Sequence, residues 1–79
     1  MNARQIWQVT LGELQLQVSK ASYETWVKST SVVSFDGNVF VIGAPNTFAK
    51  EWLEQRFLSQ IIRTVSGVVG HSVEVRVVV

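Results

Sequence analysis

One histidine, His71, two glutamates one helical turn apart, Glu51 and Glu54, and a scatter of serines at positions 19, 22, 29, 31 and 34 are the side chains whose types suit proton transfer or nucleophilic attack. A general base needs an orienting partner and a nucleophile beside it. His71 has neither in its neighbourhood and reads as a loop residue at the entry to the last strand. Glu51 and Glu54 lie near the start of a helical stretch, where the helix dipole favours acids. The serines fall at the ends of helical stretches and the edges of strands, where capping accounts for them. The sequence has neither the G-x-x-x-x-G-K-[ST] loop of nucleotide hydrolases nor the G-x-G-x-x-G of dinucleotide sites. With no cysteine and a single histidine it cannot build a structural zinc centre or a disulfide framework. No catalytic, metal or cofactor site is expected.

Two binding chemistries remain. Gly67-Val68-Val69-Gly70 has the bare G-x-x-G spacing of KH-type backbone clamps, which makes weak, salt-sensitive binding of single-stranded nucleic acid an alternative function. Its two valines offer phosphates no charge, however, and the seven basic residues are offset by six acids. The stronger signal is aromatic: Trp7, Trp26 and Trp52 with Tyr23, Phe35, Phe40, Phe48 and Phe57. These residue types dominate interface hot spots, particularly where charge is scarce.

The elements that must position these residues follow from periodicity. Trp7, Leu11, Leu14 and Val18 share one face of a helix over Arg4 to Val18, flanked by Ile6 and Leu16. Ser19 or Ser22 can cap a short second helix whose apolar face is Tyr23, Trp26 and Val27. Two β-branched runs, Val32 to Phe35 and Val39 to Ile42, flank Asp36-Gly37-Asn38 and predict a hairpin. Pro45-Asn46 then opens a third helix, with Phe48, Trp52, Phe57, Leu58, Ile61, Ile62 and Val65 recurring near i, i+4 over about five turns until Gly67 ends it. Ser72 to Val79 alternates as a third strand. The reading is an α+β fold in the order α-α-β-β-α-β, a small three-stranded sheet packed against helices in one domain over residues 1–79. The helical crossover is long enough for the last strand to lie parallel to the second. Trp26 and Trp52, mid-helix on apolar stripes, are expected in the core, whereas Trp7 and Phe48, in first turns, are expected where the stripe runs off the sheet.

The composition narrows the class further. The chain has 79 residues, 47% of them hydrophobic and 16% charged, and a net charge of +1. Typical domains carry roughly 25% charged residues. Disorder is therefore excluded, and so is a membrane span, which needs about 20 consecutive apolar residues. Met1 to Gln5 lacks the features of a secretory signal, and the chain is read as cytoplasmic.

In their order and spacing, Ile6-Trp7 with Leu11 and Leu14, Tyr23-Glu24-Thr25-Trp26-Val27, Ala44-Pro45-Asn46-Thr47-Phe48 and Glu51-Trp52-Leu53 together resemble the N-terminal domain family of the bacterial replication initiator DnaA. The resemblance implies a compact KH-like fold and a non-enzymatic protein–protein interaction domain that self-associates at the replication origin and recruits the replicative helicase and initiation regulators. By position it assigns Trp7, with Ile6 and Leu11, to self-association. It likewise assigns Phe48, with Asn46, Trp52, Ser22, Tyr23 and Glu24, to contact with the helicase and regulators. Ser22 stands where some members carry an acidic residue, and neighbouring Glu24 is the substitute.

Overall fold

The computed structural model describes residues 1–79. Helix α1 (Ala3–Gln17) begins one residue earlier than its apolar stripe requires, because Asn2 and Gln5 form a reciprocal capping box. Asn2 Oδ1 accepts from the Gln5 amide at 2.9 Å, and the Asn2 amide donates to Gln5 Oε1 at 3.0 Å. Ser19 caps the short helix α2 (Lys20–Ser22), its hydroxyl oxygen accepting from the Ser22 amide at 3.1 Å. That helix runs on as a π-helical segment (Tyr23–Val27), closed by the Lys28 amide donating five residues back to the Tyr23 carbonyl at 2.9 Å. Single π turns of this kind cluster at functional sites.

Strands β1 (Ser31–Phe35) and β2 (Val39–Gly43) form the expected antiparallel hairpin. Gly37 takes φ +99° at its tip, a conformation open to glycine at no steric cost. Asp36 Oδ1 accepts from the Val39 amide at 2.7 Å and the Asn38 amide at 2.8 Å. These two bonds, that from Val39 foremost, hold the Asp36 carboxyl below the usual carboxylate range. A carboxyl whose folded pKa is depressed stabilises the fold above its unfolded pKa of about 3.9 and loses that contribution as pH falls through the folded value. Asp36→Asn keeps an acceptor oxygen and removes the charge, so its thermal melts between pH 5 and pH 2 should show a shallower acid-side decline than those of the parent chain. An unchanged decline would assign the acid sensitivity elsewhere.

The long helical stretch is two helices, α3 (Thr47–Arg56) and α4 (Leu58–Val69), broken at Phe57 with φ −125° and ψ −7°. The reason lies in the spacing. A strict i, i+4 stripe advances about 40° around a straight helix at each step, since each residue turns about 100°. Over Ala49, Leu53, Phe57, Ile61 and Val65 the drift reaches about 160°, which would aim Val65 away from the core that holds Ala49. The break at Phe57 resets the phase. Ala49, Leu53, Ile61 and Val65 are all buried in consequence. Gly67 does not end α4. Helix α4 runs on to Val69, and Gly70 at φ +95° is the left-handed cap, its amide donating to the Ser66 carbonyl at 2.8 Å.

Strand β3 (Glu74–Val78) pairs parallel with β2, giving the sheet order β1-β2-β3. Its inward Val75 and Val77, with Val73 before it, join Phe40 and Ile42 of β2 beneath the helices. Around them close Ile6, Trp7, Leu14, Val27, Leu53, Ile61 and Val65. Two buried hydroxyls are satisfied within their own helices, Thr10 donating to the Ile6 carbonyl and Thr64 to the Gln60 carbonyl, both at 2.8 Å. No helix is long and apolar enough to cross a membrane.

Candidate interaction surface

The aromatic residues divide into two groups, and the division differs from the expectation at three tryptophans. Trp7 is a core residue, 2% exposed, with its ring 5.8 Å from that of Phe40 and its indole N–H donating to Thr30 Oγ1 at 3.2 Å. Its burial follows from where α1 lies: with the helix starting at Ala3, Trp7 falls in the second turn, and α1 packs there against the hairpin. Ile6 is equally buried and Leu11 half-buried. Of the three residues assigned to self-association, only Leu11 retains appreciable surface. Trp7 and Leu11 instead form the floor of a shallow depression of about 670 Å³, rimmed by Arg4, Gln8, Lys28 and Val32.

Trp26 and Trp52, expected in the core, are half-buried. The π-helical segment and α3 lie side by side at the rim of the core, and the two indoles stack between them at 4.7 Å with an interplanar angle of 18°. Phe48, in the first turn of α3 as expected, lies on this stack, 5.5 Å from Trp26 and 6.4 Å from Trp52, and is 64% exposed. Asn46 fixes that turn, its Oδ1 accepting from the Ala49 amide at 2.8 Å. The Arg56 guanidinium lies 4.7 Å from the centre of the Trp52 ring, which the sequence reading missed. The signal was present, since Arg56 follows Trp52 by one i, i+4 step, the spacing that places side chains together. The Trp52 indole N–H is buried and finds no acceptor among the groups around it.

Ser22, Tyr23 and Glu24 precede Trp26 on the same continuous helical stretch, of which the π-helical segment packs beside α3, but no hydrogen bond, ion pair or ring contact joins their side chains to Phe48 or Trp52. Ser22 and Tyr23 are half-buried. Glu24 is exposed and paired with Lys28 at 3.2 Å, as Lys50 is with Glu54 at 3.0 Å. Exposed pairs of this kind are worth about 0–1 kcal/mol and open readily to a competing partner. The surface as a whole is an aromatic shelf, one protruding phenyl ring on two stacked indoles, edged by the Arg56 guanidinium over Trp52.

The other candidate residues are not brought to this surface by any contact. His71 is exposed beside β3, with Nδ1 3.2 Å from the Ser72 carbonyl. Gly67, Val68 and Val69 are helical, so the G-x-x-G segment forms no loop that could clamp a nucleic-acid backbone.

Residues 4–66 match the family model described as the DnaA N-terminal domain. Over 79 residues, all of this chain, the sequence is 44% identical to the chromosomal replication initiator protein DnaA of Herpetosiphon aurantiacus. It is 42% identical over 78 residues, 99% of the chain, to the protein of the same name from Roseiflexus castenholzii. With that of Thermomicrobium roseum it shares 41% identity over 75 residues, 95% of the chain. The chain spans only 16–17% of the length of these curated relatives.

Proposed function

The chain belongs to the DnaA N-terminal domain family, and on that premise we propose that it is a docking module of a replication initiator, binding the replicative helicase and initiation regulators through the aromatic shelf. The observation that carries this reading is the exposure of Phe48 on the stacked Trp26 and Trp52. A contiguous exposed aromatic patch marks an interaction site, and a rigid, half-buried aromatic floor is the setting in which one side chain dominates binding. Few ions need to be stripped of water when such a surface is covered. Self-association is the second part of the proposal, with the α1 depression over Trp7 and Leu11 as its surface and Arg4 and Gln8 as the exposed contacts. Contacts of this size are weak singly and strengthen when many copies are tethered along one DNA.

Phe48→Ala tests the reading. At 64% exposure the ring contributes little to the core, so the melting temperature should fall by only a few degrees. Affinity for the helicase should fall about thirtyfold or more, the effect of truncating a hot-spot aromatic. An isotherm that superimposes on that of the parent chain would remove the shelf from the docking surface.

A further inference from the structure

The sheet has two edges, and they are built differently. At β1 the ladder is irregular: the register slips between Val32 and Ser34, where Val33 is the extra residue. Bulges are a standard protection of edge strands, as are lysine, proline and inward-pointing charge. Strand β3, whose only charges are the mutually paired Glu74 and Arg76, has no bulge, lysine, proline or inward-pointing charge. Val73 to Val79 contains no lysine, proline or glycine, its pairing with β2 is regular from Glu74 to Val78, and every charge on it points outward.

The phase of the ladder fixes which backbone groups are free. The Glu74 amide donates to the Asn38 carbonyl at 2.9 Å, and the Val78 carbonyl accepts from the Ala44 amide at 2.7 Å. In this parallel pairing Glu74, Arg76 and Val78 direct their amides and carbonyls toward β2, so those of Val75 and Val77 face the open edge. The side chains on the outer face are Glu74 and Arg76, both more than half exposed and hydrogen-bonded to each other.

We propose that the β3 edge pairs antiparallel with β3 of a second copy of this chain, centred on Val75 opposite Val75, to make one continuous sheet. Three registers keep the free amides in phase while overlapping most of the strand. One sets Glu74 against Glu74 and another Arg76 against Arg76, and like charges directly opposite are destabilising. The register centred on Val75 sets Glu74 of each copy against Arg76 of the other, so that four charges alternate around a square. In the same register the Val75 amides and carbonyls of the two copies bond reciprocally, and each Val77 amide reaches the Val73 carbonyl of the other. Val73 needs no new donor role, since its amide already bonds Ser66 Oγ at 3.2 Å. The contact is isologous and closed. Growth of the sheet beyond two copies would need the bulged β1 edge. This surface is separate from the α1 depression and from the aromatic shelf, so the inference does not rest on the proposed function.

Sedimentation velocity of the 79-residue chain across a concentration series, up to millimolar, tests it with charge reversals at the two exposed residues. Glu74→Arg and Arg76→Glu each turn both cross-strand pairs into like-charge pairs and should each weaken the dimer about tenfold or more. An equimolar mixture of the two variants sets an all-arginine pair against an all-glutamate pair and should form a heterodimer. The double variant, Glu74→Arg with Arg76→Glu, should dimerise as the parent does. Circular dichroism melts check that all three stay folded. The proposal is overturned if the parent chain stays monomeric, if either single variant dimerises as well as the parent, or if mixing restores nothing. Association lost on Arg4→Glu in α1 yet indifferent to both reversals also overturns it and leaves the α1 surface standing. So does a monomeric chain whose β3 amides are protected from exchange only by an added extended peptide.

Discussion

Trp7→Ala is expected to destabilise the chain by roughly 3–5 kcal/mol, the range for emptying a buried tryptophan site. For a domain of this length that lowers the melting temperature by on the order of 20 °C. Three observations set the magnitude: the side chain is 2% exposed, its ring packs against Phe40 at the centre of the sheet, and its N–H is bonded to Thr30. Thr30 itself donates to the Val27 carbonyl at 2.7 Å, so the indole ties α1 to the end of the π-helical segment. Loss of self-association in this variant would therefore accompany loss of fold. Arg4→Glu, on the exposed rim of the same depression, separates the two: it should shift a monomer–dimer equilibrium through α1 and leave the melt within a degree or two. A Trp7→Ala protein that melts near the parent temperature would show that the site collapses without a cavity and return Trp7 to the surface account.

Periodicity located every element here, because each buries a single apolar stripe and the stripes change period where the elements change type. It failed at the joins. The i, i+4 run from Ala49 to Val65 reads as one helix to any counting rule, yet its very regularity is what a straight helix cannot keep in phase with one core, and Phe57 takes a non-helical conformation for that reason. Gly67 and Gly70 are equally plausible caps in sequence. Only Gly70 adopts a positive φ, and the bond from the Val73 amide to Ser66 Oγ ties the following turn back onto the helix. Strand order was not legible at all, since parallel addition of β3 beside β2 depends on where α3 and α4 lie. Part of the candidate surface could be read: Phe48 follows from its place in a first turn after Pro45-Asn46. The exchange of roles between Trp7 and the pair Trp26 and Trp52 could not. Burial there is decided by which element passes over each ring: α1 lies over the hairpin at Trp7, while the π-helical segment and α3 meet at the rim of the core. The charge-poor composition has found its place as well. Six acids and seven bases leave the shelf to aromatic side chains and the outer faces of β1 and β2 to hydroxyl and valine side chains.

Trp26→Ala should have the largest effect on partner binding, although Trp26 is less exposed than Phe48. Its indole makes the two closest ring contacts of the shelf, 4.7 Å from Trp52 and 5.5 Å from Phe48, against 6.4 Å between Phe48 and Trp52. Half-burial of a ring that covers 150–250 Å² is worth about 2–3 kcal/mol at about 25 cal/mol per Å². Each of the two aromatic pairs adds roughly 0.5–1.5 kcal/mol, so the variant should lose about 3–6 kcal/mol of stability. Binding should fall about a hundredfold, because Phe48 then lacks the floor that holds its ring outward. A double-mutant cycle tests that dependence. If the phenyl ring acts only as positioned by the indole, adding Phe48→Ala to Trp26→Ala should cost little further affinity, well short of the thirtyfold expected from Phe48→Ala alone. Additive losses would mean that the two rings meet the partner independently. Trp26→Phe keeps an aromatic floor and should recover most of the affinity while regaining less of the stability, since the smaller ring leaves part of the Trp52 face uncovered. Recovery of stability without affinity would place the recognition in the indole itself.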